Sequence, residues 1–534
     1  MHGKRPTISS VHGVVAAAHP LAAQAGARML ANGGNAFDAA VATSAALNVV
    51  EPFMSGLAGL GLATCYVASE KRVRALDFTP PVPSRFPVER FKRREEVQRG
   101  ALAVGTPGNL GGWAELLRTY GKLKLADVFA PAIALARDGF PILEFGEFEI
   151  NGTAAEIKAH SALYDLWSQT YTGGKGSVQR GFILKQPDLA RTLEAIAAEG
   201  ADHFYRGALG RMVVAHLEKL GGCLTMADLD AMKPVWKEPL TASYRGLTVN
   251  IPPPPCEGFQ FLLTLRILEG FDFSKMERNG VEHLDTVWRA IRLAAGVRIA
   301  NNAANNPDVA ELLSDAHVEA LRRRVKDGKP VVGPTEQWMA PPAGGAAAES
   351  HTTSLSVADR DGNAICVTQS LGSPFGSAVV VPGTGLCLNN FLYWADVNPK
   401  SPNLTKPGAN LPMCVTPTIS TRGGRPELVL GTPGSYGILQ TQVQALVQYL
   451  DYGLPLQEAI EAPRTRLWDG RQVEPETRIA AATIDALRRR GHEIMPGEDW
   501  TMRVGGMQAV AIDHGTGALT GAADPRRDGY VATP

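Results

Sequence analysis

Residues 352–371 read TTSLSVADRDGNAICVTQSL. The stretch predicts two strands around Asp361-Gly362, a dipeptide that closes tight hairpins. It opens on a threonine pair behind Ser350 and His351, where a loop gives way to a strand. Two threonines at the start of a strand need no explanation beyond β propensity. A cut before Thr352 would change their meaning, because that residue would then carry a free α-amino group beside its own hydroxyl. An α-amine with an ordinary pKa near about 8 is a usable general base, which a threonine hydroxyl needs to act as a nucleophile. Composition alone does not show the cut.

The threonine pair does not stand alone. The run TTSLSVADRDGNAICVTQSLGSPFGSAVVVPGTGLCLNN resembles the nucleophile region of the γ-glutamyltransferase (γ-glutamyltranspeptidase) family. GGNAFDAAVATSAALNVVEPFMSGLAGLG at 33–61, GTPG at 105–108, PAIALARDGF at 131–140, YRGLTVNIPPPP at 244–255 and ADPRRDG at 523–529 are similar to further segments of that family. The resemblance covers nearly the whole chain. It implies an α/β fold, the αββα sandwich of N-terminal-nucleophile hydrolases, made as a precursor that cuts itself between His351 and Thr352. Residues 1–351 would form a helix-rich large chain ending in a flexible segment at about 326–351. Residues 352–534 would form the small chain, and the two would stay associated as one structural domain.

The same resemblance assigns roles. Thr352 matches the nucleophile and Thr353 the second threonine that supports it. Ser370 stands where the family has a threonine whose hydroxyl contacts the nucleophile, and serine keeps that donor and acceptor. Gly434 and Ser435, in GTPGSYG, match paired glycines whose N–H groups form an oxyanion hole, and backbone donors survive a change to serine if the φ angle permits. The implied chemistry is attack of the Thr352 hydroxyl on an amide, loss of an amine, and release of the acyl group from an ester.

The acyl pocket departs from the family pattern. The paired serines that hold an α-carboxylate read Met413-Cys414, and the clamp arginine after an Asp-Phe reads Thr79. The asparagine of the amino-group site reads Gly372, and Phe391 and Trp394 stand where polar and acidic residues are expected. Arg85, Arg90 or Asp396 would serve instead only with rearranged loops. A buried ammonium or carboxylate without its partners costs several kcal/mol. These losses point to an acyl group less polar than γ-glutamate, or one without the amino group, and to hydrolysis rather than transfer. A γ-glutamyl hydrolase or transferase with a rearranged pocket is the alternative, and an uncut, non-catalytic binding protein is a third reading.

The rest of the chain narrows the class. It has 534 residues, with 53 Lys+Arg against 53 Asp+Glu, 45% hydrophobic and 20% charged. These proportions exclude a disordered chain and a strongly basic nucleic-acid binder. Six scattered cysteines without a CxxC pair fit reduced thiols better than a disulfide framework or zinc site. The N-terminal apolar run is broken by His12, Gly13 and His19, and no run of about 18 apolar residues occurs. The expectations are therefore a cytoplasmic protein without membrane, metal or organic cofactor, acting on a small-molecule amide; a homodimer is compatible with this. The all-round apolar stretch 36–50 predicts a buried helix, and GLAGLG at 56–61 a close-packed turn rather than a phosphate loop. The basic clusters at 322–324 and 488–490 read as solvated helix faces.

Overall fold

The computed structural model describes residues 5–159, 161–302, 305–329, 331, 351–401, 403–468 and 470–534. Two seven-stranded antiparallel sheets lie face to face. The first runs Tyr530–Ala532, Gly13–Ala17, Thr353–Asp359, Ala364–Ser370, Leu60–Val67, Arg72–Phe78, Val235–Lys237. The second runs Ile8–Ser10, Leu519–Ala523, Gln508–Ile512, Arg425–Gly431, Thr418–Arg422, Leu247–Ile251, Leu240–Tyr244. Both sheets mix strands from before and after residue 351, so neither stretch completes a sheet alone.

Side-chain alternation builds the layers. In Gly13–Ala17, Val14 and Ala16 enter the apolar cluster between the sheets, with Cys366, Ile419, Val429 and Val510. Val15 and Ala17 point the other way, into a cluster shared with the helices. A strand covered on both faces has no polar face to present, so it reads as a continuous apolar run. Helices Pro20–Ala31 and Ala36–Val50 cover the first sheet. Helices Phe259–Leu268, Val281–Ala300 and Ile438–Leu446 cover the second. The order is helix, sheet, sheet, helix.

The helix Ala36–Val50 is buried along its whole length, as its composition predicts. A capping box fixes its start: the Asn35 side chain accepts the Phe37 and Asp38 N–H groups, and Asp38 accepts the N–H of Asn35. Its far end delivers Glu51. Gly59 and Gly61 follow, where a Cβ would come within 2.1 Å of the Ser370 carbonyl oxygen and 2.6 Å of that of Thr368. GLAGLG is thus a packing turn under the strand that ends at Ser370. The run VWRAIRLAAGVRIANNAA at 287–304 predicts a helix; the observed helix ends at Ala300, and residues 303–304 lie outside the described ones. The segment expected to be flexible, 326–351, is described only at 326–329, 331 and 351.

Candidate active site

Hairpin register assembles the first part of the site. Thr353 pairs with Gln369, so the next positions outward, Thr352 and Ser370, sit together at the open end of the hairpin. The Ser370 hydroxyl donates to the His351 carbonyl oxygen at 3.0 Å, and the Thr352 hydroxyl donates to the same oxygen. The Ser370 hydroxyl also accepts the Gly372 N–H at 2.9 Å. Thr352, Thr353, Ser370 and His351 are all buried. The residues singled out in sequence around the His351–Thr352 bond are therefore in direct contact.

Alternation then sorts the strand. Thr353 shares its face with Leu355 and Val357, toward the helices, and its hydroxyl donates to Glu51 Oε2 at 2.7 Å. Ser354 and Ser356 face the second sheet, donating to Oε1 and the carbonyl oxygen of Gln508 at 2.5 and 2.9 Å. Gly431 lies over Ser354, where a Cβ would come within 3.1 Å of the serine side chain. From this close approach the chain turns through Gly434 and Ser435 into the helix Ile438–Leu446. Gly434 has φ +128° and Ser435 φ +52°, so both take positive φ. Arg466 Nη1 donates to the Gly434 carbonyl at 2.7 Å and fixes that peptide.

Acidic and basic groups that sequence reasoning did not assign lie behind the threonines. Arg527 Nη1 donates to the Thr352 carbonyl at 2.9 Å. Burial pushes the Glu51 carboxyl up to about 7, against the opposing effects of the Thr353 hydroxyl and Arg527. Burial pushes Glu149 up to about 8, again opposed by Arg527. Burial also lowers the Arg527 guanidinium, with Glu51 and Glu149 acting in the other direction. Glu51 and Arg527 stand inside the quoted motifs EPFMSG and ADPRRDG, but burial of a charge is a tertiary fact that the motif does not display.

A cleft of about 200 Å³ opens beside Tyr436, the residue after Ser435. Its wall carries Glu257, Arg298, Trp394, Asp396 and Tyr436. Arg298 pairs with Glu257 at 2.9 Å and lies 4.2 Å over the Tyr436 ring, whose centroid is 5.7 Å from that of Trp394. Glu257 arrives there because its N–H donates to the Met413 carbonyl at 2.7 Å, while Met413 N–H donates to Pro255. Of the expected pocket residues, Trp394 lines this cleft. Phe391, Met413 and Cys414 lie beneath, in the apolar cluster of the second helix layer, and burial pushes the Cys414 thiol up. Thr79 donates its hydroxyl to Asp77 at 2.5 Å. Arg85 and Arg90 are exposed. At Gly372, φ +102°, a Cβ would come within 2.2 Å of Asn390 Oδ1.

Among the described residues, no group of three His, Cys, Asp or Glu side chains is placed to share a metal ion, and no helix is long and apolar enough to cross a membrane.

Comparison with known proteins places this architecture. The chain is 36% identical to the acylase ACY 1 proenzyme of Pseudomonas sp. (strain SE83), over 98% of this chain and 94% of that protein. It is 33% identical to the glutathione hydrolase-like YwrD proenzyme of Bacillus subtilis (strain 168), over 97% of each. The structure of a cephalosporin acylase from Bacillus halodurans superposes with a TM-score of 0.91 at 31% identity, covering 100% of this chain and 98% of that one. The fold is that of the N-terminal-nucleophile hydrolases. The sequence profile of the gamma-glutamyltranspeptidase family matches residues 22–533, and the chain belongs to that family.

Proposed function

We propose that the protein is a self-processing amidohydrolase in which Thr352 becomes the N-terminal nucleophile, acting on an acyl group other than a standard γ-glutamyl. The observation that carries the reading is the pair of hydroxyls on one carbonyl: Thr352 and Ser370 both donate to the His351 oxygen. In self-cleavage the Thr352 oxygen bonds to the His351 carbonyl carbon, the C–N bond to Thr352 breaks, and the hydroxyl proton passes to the departing amine. Water then hydrolyses the ester and leaves His351 as a carboxylate. Ser370 stabilises the charge that develops on the oxygen it already holds.

In the processed enzyme the freed α-amine takes the hydroxyl proton as Thr352 attacks a substrate amide. The N–H groups of Gly434 and Ser435 receive the oxyanion, the amine leaves protonated, and water clears the acyl ester. The relatives named as proenzymes and the cephalosporin acylase support this sequence of events. A cytoplasmic, reducing location belongs to the same proposal, since six buried unbridged thiols suit it.

A second reading has one observation in its favour. The cleft wall carries both an acid, Glu257, and a base, Arg298, which match the charges of a γ-glutamyl head group. Initial rates on glutaryl-p-nitroanilide and γ-glutamyl-p-nitroanilide separate the two. The first reading expects at least a tenfold higher kcat/KM for the glutaryl compound; a preference for the γ-glutamyl compound replaces it with the second.

A further inference from the structure

Thr352 lies at an end of the chain once it is cut, and chain ends fray unless they are tied down. A nucleophile, by contrast, has to be held to within a fraction of an ångström. The ladder bonds of the first sheet begin at Thr353, so Thr352 itself lies just outside them. Two side chains from distant parts of the sequence hold this end instead. Glu51, at the C-terminal cap of the helix Ala36–Val50, accepts the Thr353 hydroxyl at 2.7 Å. Arg527, in the turn between the strands Leu519–Ala523 and Tyr530–Ala532, donates to the Thr352 carbonyl at 2.9 Å.

We propose that Glu51 and Arg527 are positioning residues for Thr352, gripping the chain on the product side of the His351–Thr352 bond so that the hydroxyl stays aimed while the bond breaks. The inference rests on Thr352 being the nucleophile.

The chemistry of the surroundings argues for a grip rather than for packing alone. Glu51 and Arg527 are both buried, and two such charges are expensive to bury unless each serves the other. Met54 Sδ is 3.7 Å from Arg527 Nη1 and the guanidinium lies 5.1 Å over the Phe145 ring, while Glu51, Glu149 and Asp524 supply the opposite charge around it. The groups that bear on Glu51 are the Thr353 hydroxyl on the nucleophile strand, Arg527 and Asp528 in the C-terminal turn, and Glu149 on the helix Glu144–Lys158. Arg527 is the cation that both Glu51 and Glu149 feel. An ionised Glu51 balances Arg527 and accepts strongly from Thr353; a protonated one does neither as well. Burial sets that change near pH 7.

Self-cleavage is its own assay and needs no substrate. The full chain is purified uncut, or under conditions that slow the cut, and its conversion to two pieces is followed on denaturing gels from pH 5.5 to 9. Wild type is compared with Glu51→Gln, which keeps the shape and cannot ionise, and with Thr353→Val, which removes the hydroxyl from the other side. The expected result is a wild-type rate at least tenfold above that of Glu51→Gln at pH 8.5, with the ratio falling toward one below pH 6. Thr353→Val is expected to be slowed similarly, with no further loss in the double variant, and Thr353→Ser to recover the rate. A ratio of one at every pH, or a loss in Glu51→Gln that does not change with pH, overturns the inference while leaving the nucleophile in place. Wild type that stays whole, or Thr352→Ala that is still cut, overturns the reading of Thr352 and the inference with it.

Discussion

The Ser370 hydroxyl donates to the His351 carbonyl oxygen at 3.0 Å, which puts a hydrogen-bond donor on the oxygen that becomes negative when the His351–Thr352 peptide is attacked at its carbonyl carbon. The contact follows from hairpin register, since the pairing of Thr353 with Gln369 sets Ser370 beside Thr352. A positioned donor to a developing oxyanion contributes a factor of roughly a hundred or more in a finished active site. Ser370→Ala is therefore expected to slow self-cleavage by about tenfold to a hundredfold, and Ser370→Thr by no more than a few-fold. Time courses on denaturing gels measure both; an unchanged rate in the alanine variant would remove Ser370 from the chemistry.

Arg466 and Gly434 make a second prediction. In a trans peptide the C=O and the following N–H point in opposite directions. The 2.7 Å hydrogen bond from Arg466 to the Gly434 carbonyl therefore aims the Ser435 N–H away from the arginine. Arg466→Met is expected to lower kcat by about tenfold with little change in KM, as loss of an interaction felt chiefly in the transition state does. A change confined to KM would contradict this role.

Restoring the family's asparagine at Gly372 is expected to damage the fold. The site has φ +102°, and a Cβ there meets Asn390 Oδ1 at 2.2 Å. Asn390 is committed already: it accepts the Ser373 N–H and donates to the Gln98 carbonyl and the Ser373 hydroxyl. Gly372→Asn is expected to cost about 2–4 kcal/mol, from backbone strain and the broken network. Urea unfolding reads the loss; an unchanged midpoint would show that the loop adapts.

The buried acids predict how stability changes with pH. Burial raises Glu51 to about 7 and Glu149 to about 8, from an ordinary value of 4.5. The folded state thus holds these protons more tightly than the unfolded chain. Their contribution to stability is whole below about pH 4.5 and is lost as pH rises through 7 and 8. Glu149→Gln removes one titration, so its melting temperature is expected to fall less than that of wild type between pH 6 and 9. Parallel curves for the two proteins would contradict the burial argument.

Much of the fold and part of the site were legible in the sequence. The hairpin around Asp361-Gly362, the buried helix at 36–50 and the packing role of GLAGLG rest on local signals, and each appears in the structure. The placing of Thr352, Thr353 and Ser370 around one peptide bond follows from that hairpin and the family motifs. The pocket was less legible. Phe391, Met413 and Cys414 mark where family residues change, yet they lie in the apolar layer below the cleft. Glu257 and Arg298, which line it, arrive from the segment after the proline run and from the helix Val281–Ala300. Glu51 and Arg527 were hidden for the same reason: their contacts with Thr353 and Thr352 span long stretches of the chain and leave no periodicity in either segment.

Mass spectrometry of the purified wild-type chain and of Thr352→Ala tests the central claim most directly. The account predicts that wild type yields two pieces, residues 1–351 and 352–534, the second beginning Thr-Thr-Ser-Leu, and that Thr352→Ala remains one intact chain. A wild-type protein that stays whole, or one cut at any other bond, would contradict it.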